Sequence, residues 1–190
     1  GSSLDMILSL LDFKNEVAVI AKAVDHPEVH FFPFSQEEMA VIVAPDHHFA
    51  KKKTVVLKDL ANEPFIMKEK GSGTRKRVER LFSDENCTPD ILMETSSTEL
   101  IKQLVERGEG ISFLVKEAVA AEIKEKKLAQ VALKGRKLFL DVSIAYLKDQ
   151  VLSPPARAFV DTLKKLESED EDVHPMGIGL MMAKILAQRK

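Results

Sequence analysis

Gly71-Ser72-Gly73-Thr74-Arg75 is the segment of the chain best suited to chemistry. Where a helix opens, such a turn presents unpaired backbone N–H groups, two hydroxyls and the positive end of the helix dipole, a combination that binds anions. Glycine lets the backbone come close to a ligand. An ordinary strand-to-helix turn with a Ser or Thr cap would carry the same letters, so both readings stand. The segment is not a nucleotide loop: no Gly-Lys-Ser/Thr follows at the Walker spacing, and the dinucleotide fingerprint needs a third glycine. Arg75 lies close enough to the turn to assist an anion, whereas Lys76, Arg77 and Arg80 read as a solvated, ion-paired helix face.

Thr95-Ser96-Ser97-Thr98-Glu99 is the second such segment. Its four consecutive hydroxyls can cap the helix that follows and leave donors for a ligand, though capping alone would also explain them. Open α/β sheets bind ligands at the carboxyl ends of their strands, and both hydroxyl-rich turns fall there.

Other chemistries find no support. His26, His30 and His174 are scattered, and His47-His48 are adjacent residues expected to point apart, so no metal site is assigned. No Gly-x-Ser-x-Gly elbow is present. Ser112 follows Gly110-Ile111 inside a strand and reads as core-facing or pocket-lining. Cys87 sits in a turn before Pro89 without a nearby base and reads as inert. No catalytic residue and no cofactor follow from the sequence.

The elements that must position the two turns can be read in order. Residues 4–13 form the end of a buried helix, and 17–21 a continuous apolar strand. Residues 28–34 alternate as an edge strand, since Pro33 cannot donate to a ladder, and 39–44 form a further strand ending at Pro45. Thr54–Leu60 precedes a short helix. Strands at 64–67, 91–94 and 110–115 alternate with helices opening at the glycine turn, at the hydroxyl turn and near 116. Strands at 128–133 and 138–147 precede a helix started by Pro154-Pro155. Strands alternating with helices imply an α/β fold with a mostly parallel sheet. An acidic run over 167–172 reads as a linker to a last apolar segment, 176–186, that packs on the domain or on a neighbouring chain.

Composition bounds the function. The 190 residues carry 28 Lys+Arg against 30 Asp+Glu, for a net charge of −2, so the chain is no polycationic nucleic-acid binder. One cysteine excludes a disulfide framework and a thiolate zinc cluster. No apolar run approaches the roughly 18 residues of a membrane span. The opening Gly1-Ser2-Ser3 reads as a cloning remnant, and a cytoplasmic setting is expected.

Taken together, the segments resemble the effector-binding domain of LysR-type transcriptional regulators. The resemblance rests on Met39–Ala50 (strand, then Pro45-Asp46-His47-His48-Phe49-Ala50), Leu57–Leu60 with Glu63–Ile66, Gly71–Arg75, Val105–Leu114 and Leu152–Phe159, five stretches in register over residues 14–166. It implies a two-lobed, periplasmic-binding-protein-like (type II) α/β fold with a small-molecule cleft between the lobes. Lobe I would comprise 4–44 and 143–166, lobe II 45–142, and 167–190 a linker and helical tail. Ser72, Gly73, Thr74, Arg75, Ser96, Ser97 and Thr98 would then line the cleft from lobe II, and Lys22 from lobe I, around a small anionic effector. The family's helix-turn-helix and the first strand and helix of lobe I have no counterpart here. DNA binding would need that absent part, a homodimer or tetramer is expected, and no membrane is involved. A solute-binding protein of a transport system shares the fold and is the alternative; an enzyme on the same scaffold lacks a nucleophile–base or metal constellation.

Overall fold

The computed structural model describes residues 2–22 and 24–168. The tail expected beyond Glu167 therefore lies outside the described residues, apart from Glu167 and Ser168 at the end of the last helix. The described residues divide into two compact units: unit 1 comprises Ser3–Glu37 and the chain from Asp141 to Ser168, and unit 2 comprises Glu38–Leu140 together with Ser2.

Unit 1 sets a small sheet between two helices. Helix α1 (Ser3–Leu11) precedes β1 (Ala18–Ala21), and β8 (Leu138–Leu147) precedes α6 (Pro154–Ser168). β1 pairs antiparallel with β8, Ala18 opposite Ala145 and Ile20 opposite Ser143. The period of two along the strands sorts side chains between the helices. Ala18, Ile20, Ala145 and Leu147 pack with Ile7 and Leu10 of α1. Val19, Val142, Ile144 and Tyr146 pack with Val160 and Leu163 of α6. That is why residues 17–21 are apolar at every position: one face of the strand is buried against α1 and the other is partly covered by α6. Glu16 fixes the start of α6, its carboxylate accepting from Ser153 N (2.8 Å) and Ser153 Oγ (2.6 Å). These two bonds hold the Glu16 carboxyl below its ordinary pKa.

Unit 2 contains β3 (Thr54–Val55), α2 (Leu57–Leu60), β4 (Pro64–Lys68), α3 (Gly73–Asp84), β5 (Asp90–Thr95), α4 (Thr98–Glu106), β6 (Ser112–Val115), α5 (Ala120–Lys124) and β7 (Ala129–Leu133). β4 and β5 run parallel, linked by α3 in a β-α-β unit. Successive β4 residues serve opposite layers: Phe65 meets Phe82 of α3 edge-on at 5.7 Å, while Ile66 joins Ile101 and Val105 of α4. Each such large apolar side chain, fully buried, contributes roughly 1.5–3 kcal/mol. A Cβ at Gly110 would stand 2.6 Å from the Pro64 carbonyl oxygen, so only glycine lets the β6 segment approach β4 closely enough for Ile111 N to donate to that carbonyl at 2.8 Å.

Two expectations are corrected. The sheet is not mostly parallel: β1–β8, β2–β6 and β2–β7 are antiparallel, whereas β3–β7, β4–β5 and the bridge Phe65–Ile111 are parallel. Residues 28–34 and 39–44 are not separate strands but one, β2 (Val29–Val43). Its polar middle stays extended because its side chains find partners: Ser35 Oγ donates to Glu37, Gln36 Nε2 to Asp141, and Glu38 accepts from Lys116. Pro33 lies outside the ladders to β6 and β7, which span only Met39–Val43. The boundary between the two units falls within β2, at Glu37/Glu38.

Candidate functional site

The carboxyl ends of β4 and β5 bring the two hydroxyl-rich turns together. Lys68 is paired with Thr95 at the end of the ladder, and Glu69 N donates to Thr95 O at 3.1 Å. After four residues beyond β4 and two beyond β5 the chain enters α3 and α4, so Ser72–Thr74 and Ser96–Thr98 open at the same edge of unit 2.

The glycine turn is built to leave donors over. Gly71 has φ +86°, a left-handed conformation that disfavours any side chain. Ser72, buried, is the N-cap residue of α3, but its side chain makes no capping hydrogen bond. The first-turn N–H groups lie beyond the reach of intrahelical acceptors, as at any helix start, and α3 extends over 12 residues behind them. Thr74 is half-buried beside them.

The hydroxyl turn uses up most of its groups. Ser97 Oγ accepts from Leu100 N at 3.2 Å and caps α4, and Thr95 Oγ1 accepts from Ser97 N at 3.2 Å. Thr98 Oγ1 accepts from Lys68 Nζ at 3.3 Å, and the Ser96 carbonyl accepts from the same ammonium. Ser97, singled out as a ligand contact, therefore serves the helix through its side chain.

Arg75 also departs from expectation. Its side chain is buried, with Nε on Glu79 at 2.6 Å, and Nη1 on Glu94 at 2.6 Å and on the Lys68 carbonyl at 3.2 Å. Burial acts to lower its pKa, but Glu79 and Glu94 outweigh that and hold it above the ordinary arginine value. The guanidinium thus ties α3 to β4 and β5 rather than aiming at the turn. Its i,i+4 spacing to Glu79 was already visible in the sequence. Lys22 belongs to unit 1, where its ammonium pairs with Asp25 at 2.6 Å and lies 5.3 Å from the Phe31 ring centre.

Lys68 was missed. It is the half-buried last residue of β4, donating to both Ser96 and Thr98, with no described carboxylate within ion-pair distance. Burial lowers its pKa, only partly offset by Glu69, so its ammonium is incompletely compensated. An ammonium has three donors, and two of them are accounted for here. Its position was a readable signal: a lysine directly behind an apolar strand run and three residues before a Gly-Ser-Gly turn.

The histidines are corrected as well. His47 and His48 do not point apart: their rings stack with centres 4.4 Å apart, and both Nε2 atoms face Glu63, at 3.5 and 3.2 Å. The reason is the tight turn after Ala44, in which His47 Nδ1 accepts from Phe49 N at 3.2 Å. These three side chains could group around a metal ion. However, with Nδ1 accepting, the neutral His47 ring keeps its proton on Nε2, directed at Glu63, where a metal would need a lone pair. Burial, with His48 nearby, lowers the His47 pKa despite Glu63. Ser112 is buried and donates to the Ile66 carbonyl at 2.7 Å; Cys87 Sγ lies 3.5 Å from the Phe82 carbonyl.

A comparison with known families decides the wider assignment: the profile of the LysR substrate binding domain matches residues 1–167. The chain belongs to that family. Its two-lobed, periplasmic-binding-protein-like α/β fold and its character as a ligand-sensing regulatory domain go with the membership. Relatives include the HTH-type transcriptional activator CmpR of Synechocystis sp., 34% identical over 86% of this chain and 54% of that protein. The RuBisCO operon transcriptional regulator of Allochromatium vinosum is 31% identical over 82% of this chain and 52% of that protein. The chain thus spans about half the length of these curated relatives. Similar solved structures are the effector binding domain of QuiR in complex with shikimate (TM-score 0.81, 25% identity, covering 89% of this chain and 79% of that one) and the Synechocystis PCC6803 CcmR regulatory domain in complex with 2-PG (TM-score 0.80, 25% identity, covering 91% and 82%). No helix among the described residues of this LysR-family domain is long and apolar enough to cross a membrane.

Proposed function

We propose that this LysR-family domain senses a small oxyanion, a carboxylate or phosphate, held in unit 2 at the carboxyl ends of β4 and β5. The observation that carries the reading is Lys68, a half-buried ammonium reaching the hydroxyl turn from just ahead of the glycine turn, with no described carboxylate to neutralise it. Backbone N–H groups of Gly73 and Thr74 and the hydroxyls of Ser72, Thr74 and Ser96 complete the donor set. Charge-assisted hydrogen bonds of this kind are the stronger ones available to a protein. Arg75 and Ser97 position the two turns without touching the ligand, and the proposed set rests on unit 2 alone. That regulatory domains of similar fold hold shikimate and 2-PG supports a small-molecule ligand here. Within a longer, oligomeric cytoplasmic regulator, occupancy would be relayed to a DNA-binding part by favouring one of two conformations. Binding, not turnover, is the output.

The test is calorimetric titration of the whole chain with phosphate, sulfate and a panel of small carboxylates. Thr74→Leu places a bulky apolar group beside the first-turn N–H groups and should weaken the best-binding anion about tenfold or more while leaving the fold intact. Unchanged affinity would overturn the assignment.

A further inference from the structure

Unit 2 contains a cavity of about 630 Å³, none of whose lining residues belongs to the two turns. It forms where β7 leaves β2. The two strands pair over Val41–Val43 and Ala129–Val131, after which Ala132 and Leu133 pair instead with Thr54 and Val55 of β3. Met39 and Ala40 continue the β6 ladder past the end of the β7 ladder, so a wedge opens between β2 and β7. Met39, Val41, Val131 and Leu138, all buried, form its base.

Charge distinguishes this wedge from a packing gap. Lys53, Lys116, Arg136 and Lys137 line it, with Glu38 as the single carboxylate among the lining residues, in a chain whose net charge is −2. Glu38 is shared between Lys116 at 2.7 Å and Lys137 at 3.7 Å. Arg136 Nη2 reaches Glu85 at 2.7 Å, and Lys53 has no described carboxylate within ion-pair distance. Cations concentrated at a concave, partly apolar surface focus a positive potential that only an anion relieves.

We propose that this wedge is a second ligand site of unit 2, for an organic phosphate. Lysines act as point charges toward phosphate, and Arg136 adds a planar fork of donors that matches phosphate oxygens. The volume lies within the roughly 300–1,000 Å³ typical of small-molecule sites and is far more than a bare phosphate group fills. Glu38 and Gln130, also in the lining, would meet hydroxyls on the remainder of the ligand. β6 separates the wedge from β4 and β5, so the two anion sites are distinct and can be tested separately.

The experiment titrates glucose 6-phosphate, with sulfate at equal ionic strength as control, into the whole chain and its variants by calorimetry. Binding should persist in Thr74→Leu and fall about tenfold in the Lys53→Ala/Arg136→Ala double variant, two charge-assisted contacts being lost. Lys53 is exposed and pairs with no described carboxylate, so Lys53→Glu alone tests the site without disturbing the fold, and it should weaken binding at least as much as Lys53→Ala. With the turn site disabled by Thr74→Leu, equal affinity after Lys53→Glu, or equal binding of sulfate, would overturn the proposal. Binding abolished by Thr74→Leu alone would assign the phosphate to the turn site and overturn it too. Failure of the turn assignment would instead appear as indifference to Thr74→Leu in the carboxylate and phosphate panel.

Discussion

The glycine turn and the hydroxyl turn look alike as sequence, each a cluster of Ser, Thr and small residues ahead of a helix, yet they distribute their donors in opposite ways. At 95–98 the hydroxyls are consumed locally: Thr95 takes Ser97 N, Ser97 caps α4 and Thr98 takes Lys68. At 71–75 the Ser72 hydroxyl makes no cap, and the turn is shaped by the left-handed Gly71 and clamped from outside by Arg75. Hydroxyl content therefore does not measure donor availability. Availability depends on whether something other than the helix's own cap holds the turn in place.

The sharpest test removes that outside clamp. Arg75→Ala leaves Glu79 and Glu94 without their buried partner and frees the Lys68 carbonyl, and should cost about 2–3 kcal/mol of stability, seen by denaturant unfolding. If the loss instead appeared only in anion affinity, Arg75 would be a ligand contact and the contrast between the turns would fail. Lys68→Met comes next. It should weaken anion binding about tenfold with little loss of stability, because the ammonium is half-buried and undercompensated. The same group gives a pH dependence. The folded pKa of Lys68 lies below its unfolded value, so its burial penalty is present at low pH and relieved as pH rises through the folded pKa. Anion affinity follows the charged form and should decline with rising pH before an ordinary lysine would titrate; a wild-type decline absent from Lys68→Met confirms the source.

The smallest effects compare the two caps directly. Ser97→Ala should destabilise by about 1 kcal/mol, the usual worth of an N-cap, with anion affinity nearly unchanged. Ser72→Ala should move stability by less than about 0.5 kcal/mol, since no cap is lost, but reduce anion affinity severalfold. Thermal unfolding and calorimetry on both variants decide the matter, and the reverse pattern would exchange the roles assigned to the turns.

Much of this arrangement was legible in the residues. The apolar run at 17–21, the Pro154-Pro155 helix start and the strand–turn–helix order around Gly71 and Thr95 match the observed elements, because each is a local pattern with a local cause. What was not legible depends on partners distant in sequence. Ser35–Glu38 reads as a break, yet stays extended because Asp141 and Lys116 satisfy it. Arg75 next to the turn reads as an anion contact until Glu94, on another strand, claims it. His47 and His48 converge because Glu63, beyond α2, faces both Nε2 atoms, and Lys68 gains meaning only when β5 delivers Ser96 and Thr98 to its side.

The pairing of Glu16 with Ser153 spans 137 positions, and the whole Glu38–Leu140 segment of unit 2 lies between them. During synthesis the ribosome delivers Glu38–Leu140 whole, while α1 and β1 wait for a strand and a helix not yet made. Unit 2 can thus reach its native contacts first, bringing the two ends of unit 1 near each other and shrinking the loop that Glu16 and Ser153 must close. Refolding followed by hydrogen exchange should protect β4 and β6 before β1 and α6.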